Sequence, residues 1–216
     1  MDPKLRQSIR LVATLAIAGL VSGLILVVVF QATLPTIQRN QAEALQRAIF
    51  RVLPGTTRTA AMRIEDDRLV TVDDSSAGAG ETTVVYTGYD DGGGFVGYAI
   101  AGEGAGFMDT VKLIYGFDPE RRVITGMNVL ESRETPGLGD KIVADTDFHR
   151  NFEALAVEPE IVPVKKGEKT AADQVDCISG ATISSEAVVT ILNRSTGDVL
   201  PKLDRVTPPT GEQRDE

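Results

Sequence analysis

The sequence predicts an α+β protein: one N-terminal transmembrane helix, then a single external domain with a mainly antiparallel sheet flanked by helices. Three observations lead there. Leu11 to Phe30 is an unbroken run of 20 uncharged, mostly aliphatic residues. The middle of the chain carries short β-branched and aromatic runs separated by turn clusters, the pattern of a strand meander. Apolar residues at helical spacing stand on either side of that meander, at 38–53 and again near the C-terminus.

The apolar run is long enough for a helix of about 30 Å, the thickness of a bilayer's hydrocarbon core. It exceeds the h-region of a secretory signal and lacks a clear A-x-A cleavage site, so it reads as a retained anchor at 11–31. Asp2, Lys4, Arg6 and Arg10 give residues 1–10 a charge of +2, which leaves −11 for the rest of a chain whose net charge is −9. The positive-inside rule then leaves residues 1–10 in the cytoplasm and everything after Gln31 outside it. An acidic body argues against nucleic acid as a partner.

At 38–53, Leu45, Ala48, Ile49, Val52 and Leu53 fall on one helical face, and Pro54-Gly55 ends the helix, so this stretch reads as an amphipathic connector. The external domain is placed at 38–203, with a polar, disordered tail at 204–216. Expected strands are TTVVYT (82–87), FVGYAIA (95–101), TVKLIYGF (110–117), VITGMNVL (123–130) and IVPV (161–164). A short helix is expected at 148–155. A final one is expected from about Ser184 to Leu200, burying Ala187, Val188, Ile191 and Leu192. GEGAGF (102–107) has G-x-G-x-G spacing and precedes a strand, so it fails the dinucleotide pattern and reads as a flexible loop.

One cysteine, Cys177, and one histidine, His149, exclude a Cys/His zinc site and intrachain dithiol chemistry, so redox work requires a borrowed cofactor. Glu131, Glu134, Asp140, Asp145 and Asp147 are what an acidic surface supplies, with nothing to pair two of them as acid and base. His149 reads as structural or surface, Cys177 as a small buried residue, and no Walker A loop is present. What remains is DCISGATISSEA (176–187), just ahead of the last helix. Gly180 permits a turn and the hydroxyls of Ser179, Thr182, Ser184 and Ser185 could cap the helix; the same N-terminus, with free N–H groups and the positive end of the dipole, suits a phosphate. On local physics the cap is the simpler reading, and both stay open.

Asp176-Cys177-Ile178-Ser179-Gly180-Ala181-Thr182 resembles the D-x-x-[ST]-G-A-T motif of proteins carrying FMN on the last threonine through a phosphoester. Glu134-Thr135-Pro136-Gly137-Leu138-Gly139 resembles a second motif of the same family. Both belong to the FMN-binding subunits of two related bacterial respiratory complexes: the G subunit of the Rnf complex and the C subunit of the sodium-pumping NADH:quinone oxidoreductase. The compact length and VLESRETPGLGDKI are more similar to the Rnf protein, although Ser132 stands where many members have histidine.

The resemblance implies covalent FMN on Thr182, a presenting turn of Ser179, Gly180 and Ala181, and Asp176 within the signal read by a flavin transferase. It also implies flavin contacts from Thr135, Gly137 and Leu138, with Glu134 holding that loop. The implied role is an electron relay in the bacterial inner membrane, single-pass and with its C-terminal domain outside. Its implied partners are the other membrane subunits of an Rnf-type complex, which moves electrons between ferredoxin and NAD and couples this to ion translocation. On its own the chain is expected to convert no substrate. The alternatives are the quinone-reductase counterpart and an anchored binding or scaffold domain without redox function.

Overall fold

In the computed structural model the described residues are 3–65, 68–72 and 84–206. The chain divides into two units, Met1–Ala44 and Leu45–Glu216. In the first unit every described residue is helical, part of α1 (Pro3–Val52), which continues through Pro35. Its apolar side chains, such as Leu20 and Leu26, are exposed. Among the described residues this is the one helix long and apolar enough to cross a membrane. One helix thus covers both the segment expected at 11–31 and the one expected at 38–53. Proline removes one ladder hydrogen bond there without ending the helix.

In the second unit the strands are β1 (Arg58–Glu65), β2 (Arg68–Thr71), β3 (Val84–Tyr89), β4 (Phe95–Ala105), β5 (Thr110–Asp118), β6 (Val123–Glu131) and β7 (Leu155–Ala156). They form one sheet in the order β2-β1-β3-β4-β5-β6-β7, antiparallel at every step. After β6 come the short helices α2 (Lys141–Ala144) and α3 (Thr146–Arg150), a parallel pair β8 (Val162–Val164) and β9 (Gln174–Asp176), and α4 (Thr182–Leu203). The fold is α+β, as the sequence predicts.

Strand alternation puts a different core on each face of the sheet. One face joins Tyr98, Ile100, Leu113, Tyr115 and Phe117 to Val188, Ile191 and Leu192 of α4. The other packs Ala99 and Tyr86 against Ala48, Ile49, Val52 and Leu53 at the end of α1, the stripe read from the sequence. Glycines set how closely each helix approaches. Gly116 and Gly126 are cross-strand partners on β5 and β6. A Cβ on Gly116 would overlap the Val52 carbonyl oxygen, and one on Gly126 would lie 3.1 Å from the Val52 Cα. That carbonyl accepts a 2.6 Å hydrogen bond from Thr125 Oγ1.

On the α4 side, a Cβ on Gly102 or Gly104 would lie 3.1 or 2.7 Å from Ile191. Here the structure corrects the sequence reading: residues 102–105 belong to β4, and their glycines admit a helix instead of loosening a loop. Boundaries also shift. α3 stops at Arg150, and α4 starts two residues early and ends three late, at Leu203. β1, β2, β7, β9 and α2 are additions to the elements expected from sequence. Residues 82–83 of the expected strand and 207–216 of the expected tail lie outside the described residues, while 204–206 form a turn after α4.

Candidate cofactor site

β9 ends at Asp176, and the chain then folds back in a tight turn before α4. Cys177 N–H donates to the Val164 carbonyl at 2.8 Å, and Ala181 N–H closes the turn on the Ile178 carbonyl at 2.9 Å. Gly180 sits at φ +82°, a conformation costly for any residue with a Cβ. α4 begins at Thr182 with Ala181 as its N-cap, and no side chain caps it.

The four hydroxyls therefore separate. Ser185 is buried; its Oγ donates to the Ala181 carbonyl at 2.9 Å and accepts from Ile178 N–H at 3.0 Å. Ser184 is buried too, and its Oγ donates to Glu134 Oε2 at 2.5 Å. Ser179 and Thr182 are exposed. A missing side-chain cap costs a helix about 1 kcal/mol. Each of Val188, Ile191 and Leu192, buried on the sheet, contributes roughly 1.5–3 kcal/mol. The packed face holds α4, and its N-terminus is left open.

The second motif meets this turn through Glu134, which is only 5% exposed. Its Oε1 accepts from Met108 N–H at 3.1 Å while Oε2 takes the Ser184 hydroxyl. Glycines flank the carboxylate: a Cβ on Gly106 would overlap Oε1, and one on Gly139 would lie 2.7 Å from both Oε2 and Ser184 Oγ. One carboxylate thus ties the β4–β5 turn, the 132–140 loop and the first turn of α4. Thr135 Oγ1 donates to Met108 Sδ at 3.1 Å, and its carbonyl accepts from Leu138 N–H at 3.2 Å. Gly137 takes φ +77°, and the exposed Leu138 places its Cδ2 4.0 Å from where a Gly180 Cβ would be. Glu134, Thr135 and Leu138 are therefore gathered with Gly180, Ala181 and Ser184.

Asp176 is engaged within the fold. Its Oδ1 accepts from Gly167 N–H and Lys169 N–H, both at 3.0 Å, which shapes the 165–169 loop, and its own N–H donates to Asn151 Oδ1 at 3.1 Å. Cys177 is buried, and burial, followed by the nearby Glu186 and Asp176 carboxylates, pushes its thiol up from the ordinary range. His149 directs Nδ1 at the Met127 carbonyl (3.1 Å) and Nε2 at the Ile142 carbonyl (3.0 Å), a structural tie between β6 and α2. A cavity of about 690 Å³ lies farther along α4, lined by Gly102, Lys112, Ile191 and Arg194, and includes no motif residue.

Sequence reasoning passed over Met108, placed Gly106 only in a flexible loop, and gave Ser184 no role beyond a cap. Met108 and Ser184 meet Glu134 across 26 and 50 positions of chain, so no local spacing marks them.

An uncapped helix start, an exposed threonine at its first position and a loop docked beside it are an arrangement that suits an anionic group such as a phosphate. In keeping with that arrangement, the FMN-binding domain family matches residues 106–196, which include both motifs. The G subunit of the Na(+)-translocating ferredoxin:NAD(+) oxidoreductase complex of Acetobacterium woodii is 30% identical over 76% of this chain and 77% of its own. The G subunit of the ion-translocating oxidoreductase complex of Cereibacter sphaeroides is 33% identical over 83% of this chain and 78% of its own. Among solved structures, the C subunit of the Na(+)-translocating NADH-quinone reductase of Parabacteroides distasonis shares the fold, with a TM-score of 0.60, 23% identity, and coverage of 79% of this chain and 96% of that one. The chain belongs to the family of G subunits of ion-translocating oxidoreductase complexes.

Proposed function

We propose that this protein is the membrane-anchored electron-carrier component of an ion-translocating oxidoreductase complex, with FMN joined covalently to Thr182. The observation that carries the attachment site is the division of hydroxyls at α4: Ser184 and Ser185 are buried and bonded, whereas Thr182 is exposed at the first residue of a helix with no side-chain cap. A phosphate there meets free N–H groups and the positive end of the helix dipole. Ser179, Gly180 and Ala181 form the turn that presents it. Thr135, Gly137 and Leu138 line the adjoining loop, where the backbone and an aliphatic side chain can meet the flavin. Glu134 holds that loop against α4.

Attachment would need a flavin transferase to supply the FMN group, with Thr182 Oγ1 as the acceptor that would hold it through a phosphoester. Asp176 belongs to the segment the transferase reads, and its hydrogen bonds to the 165–169 loop support a role in shaping that segment. FMN held there would supply transfer of electrons singly or in pairs. The protein's own part is to tether, orient and partly cover the ring; no substrate is converted by this chain alone.

Membership of the family supports other membrane subunits as partners. It favours a path between ferredoxin and NAD, as named for the Acetobacterium woodii relative, over one from NADH to quinone. The basic residues near the N-terminus support a cytoplasmic location for residues 1–10 and a flavin domain outside the bacterial inner membrane. A tether suits that side, where a diffusible cofactor would be lost.

The test is intact mass of the full chain coexpressed with a flavin transferase. The expected gain is one FMN minus one water, with yellow colour retained after denaturation, and Thr182→Ala abolishes both. A gain that survives Thr182→Ala overturns the site.

A further inference from the structure

Charge is unevenly placed in this acidic chain. Lys165, Lys166 and Lys169 against Glu168 give the 165–169 loop a charge of +2, in a protein whose net charge is −9. The topology puts that loop beside the flavin motif. β8 and β9 are parallel with Val164 paired to Asp176, so the chain leaves both strands at the same end. Lys165 follows β8 where Cys177 follows β9, and neighbouring strands lie about 5 Å apart. The bond from Cys177 N–H to the Val164 carbonyl, at 2.8 Å, holds the two exits together. The basic loop and the turn that leads to Thr182 therefore start side by side.

The loop is held in one shape. Glu168 N–H closes a turn on the Lys165 carbonyl at 2.9 Å, around Gly167 at φ +86°, a conformation that favours glycine. Asp176 Oδ1 accepts from the N–H groups of Gly167 and Lys169, and Lys169 Nζ donates to the Asn151 carbonyl at 3.3 Å. Asn151, only 7% exposed, completes the set: its Oδ1 accepts from Asp176 N–H and its Nδ2 donates to the Phe148 carbonyl at 3.1 Å. Lys165 and Lys166 stay exposed, and neither has an ion-pair partner among the described residues. Half-buried and buried polar groups thus fix two unpaired cations next to the candidate attachment turn.

A threonine hydroxyl is a weak nucleophile, so a phosphate reaches it only from an activated donor. For FMN such a donor is a phosphoanhydride, a flavin dinucleotide, and hence an anion. An acidic domain approaching that anion is repelled, and cations at the point of approach offset the repulsion. We propose that the 165–169 loop is the docking element for the donor-loaded transferase, with Lys165 and Lys166 meeting the donor's diphosphate as Thr182 is brought up to it. The proposal rests on the reading that Thr182 carries FMN. Asp176 and Asn151 are then positioning residues. What the loop needs from Asp176 is an acceptor at Oδ1 and not a charge. The two lysines serve the encounter and take no part in forming the bond.

The experiment uses the full chain in detergent with purified flavin transferase and FAD, and follows FMN incorporation by intact mass. Lys165→Glu/Lys166→Glu should keep the wild-type melting curve and kcat while KM for the acceptor protein rises about five-fold or more, a difference that shrinks as salt is added. Lys165→Arg/Lys166→Arg should behave as wild type. Asp176→Asn keeps the Oδ1 acceptor and should load as wild type, whereas Asp176→Ala should raise KM as charge reversal does. If Asp176→Ala does not fold, the lysine variants, whose side chains are exposed, carry the test with Asp176→Asn. Affinity for the transferase is then measured with Thr182→Ala, which cannot accept FMN, in the presence and absence of FAD. FAD should tighten binding when both lysines are present, and Lys165→Glu/Lys166→Glu should remove that gain.

An unchanged KM in Lys165→Glu/Lys166→Glu overturns the docking role and leaves the Thr182 reading standing. The same holds if the lysines strengthen binding equally with and without FAD, which would assign them to the transferase's own surface. Loss of loading in Asp176→Asn alone would mean that the transferase reads the carboxylate directly, and overturns the positioning role. Wild-type protein that gains no covalent FMN overturns the Thr182 reading and the docking role together.

Discussion

Four hydroxyls within seven residues look interchangeable in DCISGATISSEA, and burial distinguishes them. Thr182→Ala should change stability by less than about 0.5 kcal/mol, as for other surface substitutions, because its side chain is exposed. Ser185→Ala leaves the Ile178 N–H buried without its acceptor and should cost about 1–3 kcal/mol. Urea unfolding of the two variants checks both values, and a large loss for Thr182→Ala would mean a structural role for that hydroxyl. Glu134→Ala should cost a similar ~1–3 kcal/mol and also reduce FMN loading, since it releases Met108 N–H and Ser184 together. Cys177 gives a pH prediction. Burial raises its pKa, so at neutral pH it holds less thiolate than a free cysteine, and alkylation should be slow there and accelerate only at more alkaline pH than for a model thiol. Rapid modification of the folded protein at neutral pH, followed by mass, would contradict that burial.

At the scale of elements, glycines determine which helix lies on which strand. Gly116 and Gly126 form a gap in the sheet that receives the last turn of α1, and Gly102 and Gly104 do the same for Ile191 of α4. Gly116→Ala forces a Cβ onto the Val52 carbonyl, a backbone atom that cannot rotate away. The expected cost is at least the roughly 1–3 kcal/mol of overpacking, read as a lowered melting temperature. Gly102→Ala meets the branched end of Ile191 at 3.1 Å and should be milder. Equal losses at the two positions would show that the end of α1 is not seated against the sheet as described. α4 itself tolerates an open N-terminus because its stability comes from its buried face, which leaves the first turn free for a ligand.

Across the molecule, the end of α1 serves the second unit as core: Ala48, Ile49, Val52 and Leu53 cover one face of the sheet. A chain shortened to begin at residue 38 should therefore keep a cooperative melt, whereas one beginning at 56 exposes Tyr86, Ala99 and Ile114 and should aggregate or unfold. Far-UV circular dichroism and a thermal scan of the two would decide it. The apolar run, the β4, β5 and β6 strands, the α4 stripe and both motifs were legible because each is a local pattern of period, composition or spacing. β1 was not: its burial rises and falls along RTAAMRIE without clean alternation, and β7 and β9 are too short to show a period. The sequence by itself determined an anchored α+β chain and, through resemblance, FMN at Thr182 as the expectation. Only the tertiary structure decided that Ser184 and Ser185 are occupied, that GEGA is a strand face for α4, and that Glu134 joins three segments. The Glu134 ties depend on contacts between residues 26 and 50 positions apart. Chain folding creates such contacts, and no local spacing encodes them.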